Sequence, residues 1–401
     1  VDFEDRESMS ARVYLDWNAS APLRPEAREA ARVALELAGN PSSVHGDGRA
    51  ARRVIEEARE AVAALAKADP RNVIFTSGGT EANALVLSPA IERGSDNAPR
   101  DRLLVSAIEH PSVLAGGRFA ASQIEKTPVD ANGVVDLVAL EQRLAALARE
   151  GARPLVSVMA ANNETGVIQP IAQVSGIVHR HGGLLHADAV QAAGRIELDI
   201  QALGADLLTL SAHKIGGAKG AGALVRRDES LHFADSLIKG GGQERGSRAG
   251  TENVAAIAAF GAAASAIGKH WGAEAKHMAA LRDRLEAGLR TASPDAVIFG
   301  AQADRLPNTT LVSMPGTKAE TLVIAIDLDG LAVSSGAACS SGKVAPSHVL
   351  AAMGVPTELA RGAIRISTGP ATTEAEIDRF LNVWKKLVQR LSIKEKRGLA
   401  A

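Results

Sequence analysis

The chain has 401 residues, of which 46% are apolar and 3% aromatic, and 45 basic side chains stand against 46 acidic ones for a formal net charge of −1. That length exceeds one ordinary hydrophobic core, so two domains are expected. The balanced charge gives no electrostatic footing for nucleic acid or an anionic membrane, and no apolar run approaches the roughly 20 residues that span a bilayer. The one cysteine, Cys339, allows no internal disulfide. No basic segment leads into an apolar one as in a secretory signal, so a cytoplasmic location is expected. Residues 1–8 are polar, precede Met9 and stand apart from the fold pattern.

In chain order, Val13-Tyr14-Leu15-Asp16 reads as a short strand, and Arg24-Pro25-Glu26 opens a helix with proline where the first turn tolerates it. A polar, turn-rich loop, Gly39 to His45, precedes an amphipathic helix over 48–67 with Val54, Ala58, Ala61, Val62 and Leu65 on one face. Alternation follows. Strands are expected at 73–76, 103–105, 155–159, 183–188, 205–210 and 222–225, the last turning back. Helices are expected at 81–92, 112–122, 137–150 and 171–181. This pattern indicates a mainly parallel, doubly wound α/β sheet, and right-handed crossovers bring the loops after its strands to one edge. From Thr251 a long helix runs to about residue 292 with a break near Gly268–Gly272. Strands at 296–299 and 310–313 and a terminal helix from Glu374 complete a second, α+β domain, which the strand near residue 14 is expected to join.

The chemistry centres on Ser211-Ala212-His213-Lys214. Lys214 ends a buried strand, at the edge where open α/β sheets bind ligands. A lone lysine is usually a solvated one. Here Asp188 ends a second buried strand, followed by Gln191, and a lysine facing a carboxylate across a cavity suits a Schiff base with pyridoxal phosphate (PLP), whose ring nitrogen needs an acidic partner. Thr76-Ser77-Gly78-Gly79-Thr80 passes from strand to helix, and its free N–H groups fit a phosphate or a plain helix cap; Ser211 and His213 are further phosphate donors. His110 lies past another strand end, as a loop histidine or as a ring that stacks on the cofactor and moves protons. Asn162-Asn163-Glu164-Thr165-Gly166 is a polar turn or a substrate amide. Arg365, in an alternating strand, is a solvated side chain or a bidentate carboxylate clamp. Cys339 sits in a small-residue, glycine-bearing segment, about 334–345, with Lys343 nearby, which suits a nucleophile better than a buried inert thiol. His179, His181, His186 and Asp188 make a poor zinc set, because helix-end and strand residues diverge and no cysteine joins them, so no metal is expected.

Together these stretches resemble the cysteine desulfurases, PLP enzymes of the class V aminotransferase fold (PLP fold type I). The resemblance runs from about Val13 past Thr372. It rests on Asn40-Pro41-Ser42-Ser43-Val44-His45, Thr76 through Asn83, Asn162 through Val167, Ser211 through Lys214, Gly240-Gly241-Gly242-Gln243-Glu244-Arg245 and Ser334 through Ser341. It implies a large cofactor domain at 23–262 and a smaller one made of 9–22 and 263–401. Lys214 would carry PLP. Asp188 would face the ring nitrogen, Gln191 the ring hydroxyl and His110 the ring face. Gly79, Thr80, Ser211 and His213 would hold the phosphate, joined by Thr251 from the other subunit of a homodimer. Asn163 and Arg365 would bind the carboxylate of L-cysteine, and Cys339 would take its sulfur as a persulfide. An acceptor protein such as an iron–sulfur scaffold would take it onward. The cysteine segment resembles the longer loop of the iron–sulfur-cluster and nitrogen-fixation branch, from which Ala337 departs, since that branch often has Ser there. Selenocysteine lyase, another PLP lyase or aminotransferase of the same fold, and a non-enzymatic sulfur carrier are the alternatives.

Overall fold

The structure is a computed structural model that describes residues 12–336 and 347–398, the last nine as helical backbone only. Cys339, most of the 334–345 segment and residues 1–8 lie outside the described residues.

The centre is a seven-stranded sheet in the order Val73–Thr76, Gly222–Arg226, Leu207–Ser211, Leu184–Asp188, Pro154–Ser157, Arg102–Ser106 and Ile124–Thr127. All neighbours are parallel except that Gly222–Arg226 runs antiparallel to both strands beside it. The inner strands are mostly apolar and fully buried because both faces are covered. Side-chain alternation divides them cleanly. Leu104, Val156, Leu185 and Leu208 join a core shared with Ile55, Val62, Leu144, Val174 and Phe260 of the flanking helices. Leu103, Leu155, Leu184 and Leu207 point the other way, onto Leu85 and Val86 of the helix Gly79–Val86.

A second, antiparallel sheet has the order Val297–Ile298, Thr309–Ser313, Ile364–Ser367, Ser334–Ser335. Val13–Tyr14 pairs in parallel with Leu331–Ala332, so the N-terminal strand does join this C-terminal half. Its core holds Leu15, Leu281, Leu285, Ile366, Phe380 and Trp384.

The structure corrects several expected elements. The helix after Val73–Thr76 stops at Val86, short of Pro89, and Ile91–Arg93 is instead a strand paired with Leu231–Phe233. The helix after His110 is only Pro111–Leu114, because Gly116 and Gly117 turn with positive φ and a Cβ on Gly117 would sit 2.2 Å from the Leu87 carbonyl oxygen. Ile124–Thr127, a half-buried edge strand, has too little apolar alternation to stand out in the sequence. On the helix Gly46–Leu65 the buried face is Ala51, Ile55, Ala58 and Val62, centred on Ile55 rather than Val54. The helix Val254–Ala292 is continuous over 39 residues and does not break at Gly268–Gly272. Both glycines face open space, so they weaken the helix without interrupting it.

Candidate active site

Strands that run in one direction end together, and here three of those ends bring polar side chains toward one place. Thr76, Asp188 and Ser211 are terminal strand residues, and Lys214 follows Ser211 in a single helical turn, Ala212–Lys214. Asp188, Ser211 and Lys214 border a cavity of about 300 Å³, lined also by Gly79, Thr80, His110, Asn163, Gln191, His213 and Arg365 among others. The structure thus brings ten expected site residues to one place. Thr251 is exposed and does not line the cavity, and Cys339 is outside the described residues.

The Lys214 ammonium donates to the backbone oxygens of Asn18 at 2.6 Å and Ala19 at 2.9 Å. Asp188 is buried; its Oδ2 accepts from Asn83 Nδ2 at 2.9 Å and its Oδ1 from the Val190 N–H at 3.0 Å. Asn83 Nδ2 also donates to Ser112 Oγ, while its buried Oδ1 has no partner among the described residues.

His110 caps the helix Pro111–Leu114. Its Nδ1 accepts the Ser112 N–H at 3.2 Å, which leaves the proton of the neutral ring on Nε2. Burial pulls its pKa below the ordinary value, Asp188 pulls it back up, and Lys214 and His348 add to the lowering. His213, beside Ser20 Oγ, is pulled down to about 4 by burial and then by Lys214 and Lys219, so it enters the site neutral.

The turn Gly78–Thr80 is built for close approach. The helix it opens has no side-chain cap, so its first N–H groups are free to face a ligand. A Cβ on Gly222 would stand 2.4 Å from the Gly78 carbonyl carbon, so the return strand packs backbone on backbone against this turn.

Arg365 is 2% exposed. Its Nη1 donates to Asn163 O at 2.9 Å, its Nη2 pairs with Asp16 Oδ1 at 2.7 Å, and its buried Nε has no partner among the described residues. Asn162 is spent within its own turn, its Oδ1 accepting from the N–H groups of Glu164 and Thr165; Asn163 is the amide that reaches the cavity. Glu164 is pushed up to about 7 by burial, with Ser347 and Arg365 pulling the other way, and its Oε2 accepts Ser347 Oγ at 2.5 Å. His348 Nε2 bonds the Glu109 carbonyl oxygen at 2.9 Å. The residues that follow the cysteine segment are therefore tied to the same loops that carry His110 and Asn163.

The histidines weighed for zinc do not converge. His179 bonds Asp206, and the buried His186 bridges Ser157 and Thr209 and is pulled down to about 4 by burial. Among the described residues no group of three potential ligands forms.

Sequence reasoning missed Asn18, Asn83 and Arg195. Asn18 gives its carbonyl oxygen to both Lys214 and Gln191 Nε2 (3.1 Å) from far upstream. Asn83 lies one helical turn beyond Gly79, and this i, i+4 spacing was the available signal. Arg195 stands at the same spacing from Gln191 and donates to its Oε1.

A buried carboxylate facing a strand-end lysine, an uncapped helix N-terminus in a glycine turn and an orphaned amide oxygen form a donor set that fits a phosphorylated pyridine aldehyde such as PLP. The family model described as aminotransferase class-V matches residues 13–380. A "Cysteine desulfurase" of Cereibacter sphaeroides is 45% identical over 388 residues, covering 95% of this chain and 96% of that protein. A "Cysteine desulfurase IscS" of Dictyoglomus turgidum is 39% identical and covers 96% of each. A solved NifS-like protein from Rickettsia africae superposes with a TM-score of 0.84 at 36% identity, over 94% of this chain and 99% of that one.

Proposed function

The chain belongs to the aminotransferase class-V family and is a PLP-dependent cysteine desulfurase, and from that premise we propose that Lys214 is the lysine that binds the cofactor and that Cys339 takes the sulfur. The observation that carries the assignment is the meeting of Lys214, Asp188 and His110 around one cavity at the ends of neighbouring strands.

PLP supplies an electron sink for negative charge on the carbon that bears the substrate's amino group. In this proposal Asp188, oriented by Asn83 and the Val190 N–H, would keep the ring nitrogen protonated, and Gln191 would serve the ring hydroxyl. Gly79, Thr80, Ser211 and His213 would hold the phosphate. Asn163 and Arg365 hold the substrate carboxylate. Lys214 Nζ removes and returns the proton at the substrate carbon, and neutral His110 moves protons at the ring face through Nε2. The Cys339 thiolate attacks the substrate sulfur: an S–S bond forms, the C–S bond breaks, and the carbon takes a proton to give alanine. Cysteine and the enzyme thiol thus become alanine and an enzyme persulfide. A thiolate suits this step because thiols ionise near neutral pH and hydroxyls do not.

The proposal includes a cytoplasmic homodimer, with residues 23–262 holding the cofactor and 9–22 with 263–401 forming the smaller unit. Supporting the dimer are the exposed Thr251 and an open cavity of about 920 Å³ bordered by Pro41, Ser42 and the Gln243–Ser247 turn, a face that a second copy would cover. The sulfur acceptor is proposed to be a protein such as an iron–sulfur scaffold. The deciding experiment is Lys214→Ala: the purified variant should lose the visible absorbance of lysine-bound cofactor and all alanine formation. Retention of both would assign the cofactor to another lysine.

A further inference from the structure

Three parallel strands that sit side by side, Arg102–Ser106, Pro154–Ser157 and Leu184–Asp188, end near the catalytic cavity, and their beginnings meet at the opposite edge of the sheet. The residues leading into them are Arg100, Arg153 and Gly182-Gly183. Between these lies a second pocket of about 300 Å³, lined by Arg93, Asp96, Arg100, Arg153, His179 and the start of the third strand.

Arg100 is the anomaly. It is 3% exposed, and its side chain makes no hydrogen bond with any described residue. Its nearest carboxylate oxygen, Asp96 Oδ2, is 3.7 Å away. A guanidinium is donor-only, and buried charges are normally paired and hydrogen-bonded.

The nearby carboxylates are already engaged. Asp96 is bonded by Arg153 Nη2 and the Ala98 N–H. Asp206 takes Arg93 Nη2 at 3.1 Å, Arg227 Nη2 at 2.8 Å, His179 Nε2 at 2.8 Å and the Leu185 N–H. Asp228 stands 3.8 Å from Arg93 and 3.9 Å from Arg227. Three guanidinium groups (Arg93, Arg100, Arg153) line the pocket against one lining carboxylate, Asp96; Asp101 beside it accepts the Arg153 backbone N–H at 2.8 Å. Burial lowers the Arg100 pKa, Arg153 and Arg93 lower it further, and Asp96 and Asp206 pull it part of the way back; a bound anion would add to their effect. Gly182 borders the pocket with open space where a side chain would stand, so a ligand can approach the backbone.

We propose that this pocket is an oxyanion site, distinct from the catalytic cavity, that takes a phosphate group, either free or as part of a nucleotide, with Arg100 as its buried anchor and Arg153 at its mouth. A tetrahedral oxyanion can accept from several guanidinium forks at once, and that is the geometry in which arginine surpasses lysine.

The test uses the PLP-loaded enzyme, in which the catalytic phosphate cup is already filled. Sodium phosphate and ATP are titrated separately by calorimetry and thermal shift against sodium chloride of matched ionic strength. Saturable binding of either ligand is expected in the wild type, weakened about tenfold or more by Arg100→Met, as loss of charge-assisted bonds implies. Binding of ATP alone assigns the phosphate to a nucleotide; binding of both assigns the site to the phosphate group itself. Should Arg100→Met fail to fold, the partly exposed Arg153→Ala serves in its place, and the exposed Arg149→Ala is the control that leaves binding intact. No saturable signal for either ligand up to about 20 mM, far beyond the micromolar-to-millimolar range of useful sites, would overturn the proposal. So would equal binding by wild type and both pocket variants. Neither measurement uses turnover, so the result stands apart from the assignment of Lys214.

Discussion

Arg195 holds Gln191 by two acceptors at once. Its Nη1 lies 2.6 Å from the Gln191 backbone oxygen and 2.8 Å from Oε1. Because a guanidinium only donates, the amide oxygen must face Arg195, and Nε2 must face the Asn18 carbonyl at 3.1 Å and the cavity beyond. Arg195 is buried, has no carboxylate within ion-pair distance among the described residues, and is pulled down to about 9 by burial and then by Arg365.

Arg195→Met should therefore release the Gln191 amide. The expected effect is PLP binding weaker by about tenfold, the equivalent of one hydrogen bond of roughly 1.4 kcal/mol, with a shifted pH titration of the bound cofactor's absorbance. Arg195→Lys should restore part of both. In a Gln191→Ala background the Arg195 change should add nothing; a full additional loss there would mean that Arg195 acts only through the fold.

Arg365→Ala should raise the KM for cysteine while PLP stays bound. A charge-assisted bond to a carboxylate contributes on the order of 1.5–3 kcal/mol, so a rise of about ten- to a hundredfold is expected. Steady-state kinetics alongside cofactor content decides it. Loss of PLP instead would make the pairing of Arg365 with Asp16 a fold contact and not a substrate clamp.

Glu109 sets a slope of stability with pH. Burial pushes its carboxyl up to about 8, helped by the charge of Asp188, against bonds from Ser106 Oγ and the Met159 N–H. A carboxyl raised on folding binds its proton more tightly in the native state, so its contribution is whole below the ordinary value of 4.5 and falls away as pH rises toward 8. Glu109→Gln keeps the accepting oxygen and removes the titration. Melting temperatures measured from pH 5 to pH 9 should decline less steeply in the variant, by about 1–3 °C at the alkaline end for a change of about 1–2 kcal/mol. Parallel curves would show that Glu109 is ionised throughout.

What the sequence disclosed was what is local. Asp188, Lys214 and the turn Thr76–Thr80 each belong to a strand-to-turn unit a few residues long, so their chemistry could be read in place. Arg365 was legible as a strand arginine, yet its burial and its pairing with Asp16 depend on a strand contact between distant segments. The role of Asn18 was hidden for the same reason: a backbone oxygen offers no residue type to recognise, and its partners lie more than 170 residues away. The stop after Val86 had a signal in Pro89, which the expected helix over 81–92 ran past. The continuity of Val254–Ala292 was not, since whether a glycine interrupts a helix depends on what the neighbouring turns pack against.

Cys339→Ala separates a desulfurase from every other PLP enzyme of this fold. With the sole thiol gone, the protein should still bind PLP and cysteine and exchange the substrate's α-proton with solvent. Alanine formation should fall to background, and the added mass of one sulfur on the Cys339 peptide should vanish. Alanine from cysteine at the wild-type rate would instead mean a lyase or transaminase.

The helix Val254–Ala292 buries Ala259, Phe260 and Ile267 in the core beneath the large sheet, and Leu281, Leu285 and Leu289 in the core of the small one. One rigid rod is thus anchored in two separate interiors, with its solvent-facing glycines at the crossing. Neither interior can melt without pulling apart half of the rod that braces the other, so the whole chain should come undone in a single concerted event. The stretch around Gly268 and Gly272 is the fuse, where backbone amides should trade hydrogen with water before either end lets go.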